Sequence, residues 1–117
     1  MATHPDKKSD YKLIDFFKVF FQDTFEDLIV FLNDHGGIDS IEEYKRTAFI
    51  NCVIQSGVKP ATDRDKRNIE HAKDYAKRLI DSGCDTSLKD KAGWSALDFA
   101  KRDNNVELLN LLQSLDS

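Results

Sequence analysis

A short pattern occurs twice in this chain, and it restricts the available folds more than any other feature. Arg46-Thr47-Ala48-Phe49-Ile50-Asn51-Cys52 is echoed by Trp94-Ser95-Ala96-Leu97-Asp98-Phe99-Ala100. Each copy places a hydroxyl that can cap a helix just before small and apolar residues at helical spacing. The segments that end helices echo one another too: Phe31-Leu32-Asn33-Asp34-His35-Gly36, Leu79-Ile80-Asp81-Ser82-Gly83 and Leu111-Leu112-Gln113-Ser114. The order is turn, short helix, turn, second helix, glycine stop. One such unit cannot bury its apolar face alone, so units of this kind stack and make their core between them.

The chain between these echoes reads as helix throughout. From Ser9 to Gln22, the residues Leu13, Ile14, Phe16, Phe17, Phe20 and Phe21 share one broad helical arc, with Ser9 or Asp10 available as its cap. That arc requires more than one neighbour, or part of it stays open. Thr24 opens a second helix with Glu26 and Asp27 in its first turn, and Gly36-Gly37 ends it. Thr47 opens a third. Pro60 stops it by Lys59 at the latest, and Thr62 or Asp63 then starts a long helix reaching Asp81. Ser95 caps the next, Asn104-Asn105 breaks it, and Val106 begins the last. Val53, Ile69, Ala72, Leu79, Leu97, Phe99, Ala100, Leu108 and Leu111 are the expected interface lining. Strand-like alternation is absent. The expectation is all-α, in about three helix pairs.

The run from Ala76 to Leu112 resembles an ankyrin repeat. Leu79 to Asp90 matches that family's end-of-helix segment, with Cys84 where alanine is usual, and Asp90 to Ala100 matches its turn and first helix. Ser95-Ala96-Leu97-Asp98 stands where the family prefers Thr-Pro-Leu-His. Residues 38–55 agree at Thr47-Ala48-Phe49 but carry Lys45 in place of the turn glycine. Residues 9–35 agree only in helix pairing and Leu32, as an N-terminal cap unit would. The resemblance implies a tail at 1–8 and one ankyrin-like repeat domain at 9–117. Its units are 9–37, 38–83 and 84–117, the middle one carrying an insertion at 56–70 that lengthens its second helix. The family's turn histidine is missing, since Ile50 and Asp98 occupy those places.

Composition narrows the function. The 117 residues are 40% hydrophobic and 32% charged, as in a globular domain rather than a disordered chain. No uncharged run is long enough to span a membrane, and Met1 to Lys8 lacks the apolar core of a secretory signal, so the expected location is cytoplasmic. Charge is uneven within the net −4: residues 10–43 hold nine acids and two bases. That half disfavours nucleic acid and favours a basic protein partner. His4, His35 and His71 are scattered, Cys52 and Cys84 are far apart in sequence, and no phosphate loop or nucleophile elbow occurs. Neither an enzyme nor a cofactor or metal site is therefore expected.

In ankyrin stacks the turn tips and the exposed side of each first helix form the contact surface. Carried over by position, the resemblance implies partner contacts at Glu42, Glu43, Tyr44, Arg46, Ile54 and Gln55, and at Lys91, Trp94, Arg102 and Asp103. Tyr44, Arg46 and Trp94 are of the types that dominate interface energies. A free-standing stack this small and acidic in its first half resembles a bacterial immunity protein. The implied function is to neutralise a basic toxin or nuclease domain as a monomer. The alternatives are an adaptor or scaffold without inhibitory role, and a structural protein that self-associates through residues 13–21.

Overall fold

The computed structural model describes residues 10–115, so the expected tail at 1–8, the Ser9 cap and residues 116–117 lie outside the described residues. Six helices follow in order: α1 (Leu13–Gln22), α2 (Phe25–Asp34), α3 (Ala48–Ser56), α4 (Asp63–Asp81), α5 (Ala96–Arg102) and α6 (Val106–Leu115). Among the described residues there is no strand, only the isolated bridges Tyr11–Glu42, Ile41–Thr47 and Lys89–Ser95. The chain is all-α.

Local chemistry starts most of these helices. The Thr24 hydroxyl accepts from the Asp27 N–H at 3.1 Å, and the Asp27 carboxylate accepts from the Thr24 N–H at 3.2 Å. Thr62 with Asp65 and Ser95 with Asp98 close the same reciprocal box. Thr47 accepts from the Ile50 N–H at 3.1 Å but has no acidic partner three residues on. A cap of this kind is worth about 1 kcal/mol. The end of α2 and the end of α4 also agree: Gly37 N–H donates to the Leu32 carbonyl and Cys84 N–H to the Leu79 carbonyl.

The start of α1 departs from expectation. Asp10 is not its cap, because the helix begins at Leu13 after Lys12, whose side chain makes no cap bond. Tyr11 is held instead in a parallel bridge to Glu42, its N–H donating to the Ile41 carbonyl at 3.3 Å. Its ring is buried edge-on to Phe31, with centroids 5.0 Å apart. Extended pairing therefore fixes Tyr11, and the helix starts two residues later.

The core joins all six helices. Phe16, Phe20, Leu28, Leu32, Phe49, Ile50, Val53, Leu79 and Leu108 are essentially inaccessible. Each such side chain contributes about 1.5–3 kcal/mol of apolar burial. Of the expected interface lining, Leu97 and Leu111 are only partly buried, and the others are buried. The α4 helix reaches back across α1. Tyr75 lies edge-on to Phe20 and Phe25, its hydroxyl donates to the Asp23 carbonyl at 3.2 Å, and His71 contacts the Phe20 carbonyl. The broad phenylalanine arc is thus divided. Phe16 and Phe20 are covered, while Ile14 and Phe21 remain 62% and 43% exposed.

Candidate functional site: a ridge of two turns

Two turns, 42–47 and 90–95, lie side by side and follow one hydrogen-bond plan. In the first, Glu42 N–H donates to the Arg46 carbonyl at 3.0 Å and Lys45 N–H to the Glu42 carbonyl at 2.8 Å. In the second, Asp90 N–H donates to the Trp94 carbonyl at 2.9 Å and Gly93 N–H to the Asp90 carbonyl at 3.0 Å. The acidic side chain at each turn's first position accepts from two further backbone groups: Glu42 from Tyr44 and Arg46, Asp90 from Ala92 and Trp94. The fourth position is left-handed in both, at φ 66° for Lys45 and 85° for Gly93.

The turns are tied to each other. Lys91 N–H donates to the Tyr44 carbonyl at 3.2 Å, and Arg46 Nε lies 3.8 Å from the Asp90 carboxylate. That Nε is buried without a hydrogen bond, and the guanidinium sits 5.4 Å from the Tyr44 ring centre. Further back, Asp85 N–H donates to the Asp39 carboxylate at 2.9 Å. Tyr44 is 49% exposed and Trp94 38%. The Trp94 ring rests on Phe99, with centroids 5.2 Å apart, so it both packs locally and presents a face to solvent.

Glu42 is the main correction to the expected contact set. It is fully buried, and its second oxygen accepts from Asn51 Nδ2 at 3.2 Å. A partner cannot reach it; it organises the turn from within. Glu43 is exposed, but one oxygen already accepts from the Leu13 N–H at 3.1 Å, capping α1 from a distant part of the chain. Gln55 and Ile54 are half-buried. Asp103 is also occupied: Arg102 donates to both its oxygens at 2.8 and 3.0 Å, and its side chain lies against Gly57. Tyr44, Lys91, Trp94 and Arg102 remain outward-facing, with Arg46 between the tips.

The sequence reading passed over Lys101. Trp94, Asp98, Lys101 and Arg102, with Ala92 and Gly93, line one cleft of about 610 Å³. Positions 98, 101 and 102 share a helical face, so the spacing held that signal. The Asp98 carboxyl is held below its ordinary value, first by the hydrogen bond from the Ser95 backbone and then by the Ser95 hydroxyl, with Lys101 and Lys89 adding to it.

Among the described residues no three His, Cys, Asp or Glu side chains are grouped to hold a metal ion. Cys52 is buried and Cys84 partly so; burial, then Asp39 and Asp85, pushes the Cys84 thiol up to about 12. Burial also raises Cys52. No described helix is long and apolar enough to cross a membrane. No protein-family model, curated protein or solved structure matches the chain.

Proposed function

We propose that this chain is a non-enzymatic protein-binding module, an ankyrin-like stack of about three helix pairs that grips another protein through its turn ridge. The observation that carries this reading is the shared plan of the turns at 42–47 and 90–95, each carrying one exposed aromatic side chain, Tyr44 or Trp94. Tyr44 and Trp94 sit on backbone fixed by four or more hydrogen bonds per turn, so little conformational entropy is lost when they bind. The repeat reading draws on that plan and on the matching helix ends at Leu32 and Leu79.

The partner we propose for the acidic half is a basic protein surface, and the action on it is inhibition, as an immunity protein blocks a toxin or nuclease domain in the cytoplasm. Among the described residues no base lies within ion-pair distance of Asp15, Glu26, Asp27 or Asp34, and residues 13–34 carry five acids against the single base Lys18. Such a surface accelerates encounter with a basic partner and weakens with salt. The test is capture of a partner from native lysate at low and high salt, followed by assay of that partner's toxicity with and without this chain. A stoichiometric basic partner whose toxicity is suppressed supports inhibition; one bound without loss of activity makes the chain an adaptor. Self-association has one supporting observation, the open Ile14 and Phe21 of α1. A salt-insensitive dimer by light scattering, with no captured partner, would establish it instead.

A further inference from the structure

The cleft beside Trp94 has the opposite electrostatic character from the α1–α2 surface. We propose that it is a docking site for a carboxylate-bearing, extended segment of the partner protein, so that the partner is recognised by charges of both signs. The proposal deepens the protein-binding reading and rests on it. Its physical basis is which charges around the cleft are already satisfied. Asp98 accepts from the Ser95 N–H at 2.9 Å and from the Ser95 hydroxyl at 3.1 Å. Asp103 is held by both arms of Arg102, and the Asp90 carboxylate is taken up by the Ala92 and Trp94 N–H groups with Arg46 beside it. The acids are thus engaged within the chain. The amines are held more loosely: Lys101 and Lys89 act on Asp98 only through space, and among the described residues no carboxylate lies within ion-pair distance of Lys89, Lys91 or Lys101, all three exposed.

Geometry suits a side chain with an apolar stem and a charged end. The cleft is walled by the Trp94 ring, floored by Ala92 and Gly93, and edged by Lys101 and Arg102. The Arg102 guanidinium lies 5.0 Å from the Phe99 ring centre, which restricts its motion and keeps it at the rim. A Glu or Asp on an incoming strand can lay its methylenes on the indole while its oxygens accept from Lys101. A neighbouring carboxylate reaches Lys91. A lysine or arginine in the same place would meet like charge from Lys101 and Arg102.

Trp94 is the only tryptophan in the chain, so its fluorescence reports on this cleft directly. The probes are an acetylated and amidated hexapeptide of Glu and Leu and its Lys and Leu counterpart, titrated at low salt and again at about 0.5 M salt, where the screening length falls to about 4 Å. The acidic peptide is expected to give a saturable spectral shift that weakens with salt. In a Lys91→Glu/Lys101→Glu variant its Kd should rise roughly tenfold, a change that circular dichroism and melting must show is not unfolding. No saturable shift, an equal response to the basic peptide, or unchanged affinity in the variant overturns the proposal. The same variant separates this failure from failure of the wider reading. A partner captured equally well by wild type and variant leaves the binding module standing without this cleft. Peptide binding without any captured partner leaves the cleft standing without the inhibitor.

Discussion

Glu42 and Asp90 stand at the same place in two turns built alike, yet one is sealed by the core and the other only by Arg46 and its own exposed turn. Glu42 is covered by the Tyr11 segment on one side and by Asn51 on the other, and has no contact with solvent. The Asp90 side chain is also nearly covered, at 5% exposure, but by Arg46 and by the N–H groups of its own turn, whose Ala92 and Trp94 are exposed, rather than by core residues. The same hydrogen-bond plan therefore has two energetic weights. In the inner turn it is bound into the core, and in the outer turn it supports a surface.

The sharpest way to break that comparison is to remove the acid from each turn. Glu42→Ala should destabilise the protein by about 4 kcal/mol, because the Tyr44 and Arg46 N–H groups and the Asn51 amide lose an acceptor away from water. Asp90→Ala should cost about 1–2 kcal/mol, since its orphaned N–H groups lie where water can replace the carboxylate. Urea unfolding of both variants measures the difference; equal losses would refute the inner-versus-outer distinction.

The fourth turn position sharpens the comparison further. Gly93 holds φ 85°, and a Cβ there would meet nothing within 4 Å, so the cost of Gly93→Ala is a backbone cost alone, about 1 kcal/mol. Lys45 already sits at φ 66° with a side chain. Lys45→Gly should relieve that strain and gain a few tenths to about 1 kcal/mol, less whatever its exposed ion pair with Asp10 contributes. Thermal melts of the two variants should move in opposite directions.

How much of this was readable in the sequence follows from the range of each interaction. Thr24, Thr47, Thr62 and Ser95 were legible as caps because a cap joins residues three apart. The helix ends at Gly36 and Gly83 were legible for the same reason. The burial of Glu42 was not, because it depends on Tyr11 and Asn51 arriving from other elements; alone, Glu42-Glu43 reads as a solvated pair. Glu43 capping α1 at Leu13 is likewise a contact between distant segments, and so is the clasp of Asp103 against Gly57. Position-by-position transfer named residues of both turns but took the buried Glu42 as outward-facing. Of the cleft, Trp94 and Arg102 were named, whereas Lys101 needed the helix face to be considered as a surface.

A pH series tests the outer turn's helix alone. The Asp98 carboxyl is depressed below its ordinary 3.8 when folded, so its stabilising contribution is present above about pH 4 and is lost as pH falls through the folded value. Asp98→Asn removes that titration. The variant should be less stable than wild type at pH 7, and the gap should narrow as pH drops toward 3. A constant gap across that range would mean that the Ser95 box does not bias ionisation of Asp98.

The smallest expected effect on stability is the one that matters most for function. Tyr44→Ala and Trp94→Ala remove half-exposed rings from turns whose backbones are held by other groups. Tyr44→Ala should change stability by less than about 0.5 kcal/mol. Trp94→Ala should cost about 1 kcal/mol, because its ring also covers Phe99. If these side chains anchor a partner, each should weaken binding by roughly 2 kcal/mol, about thirtyfold in Kd, while the melting temperature hardly moves for Tyr44→Ala and falls by only about 4 °C for Trp94→Ala. Binding losses no larger than the stability losses would make the rings packing elements of the turns and nothing more. A large loss for Trp94 alone would place recognition at the outer turn, where the fold has left its hydrogen-bonded frame uncovered.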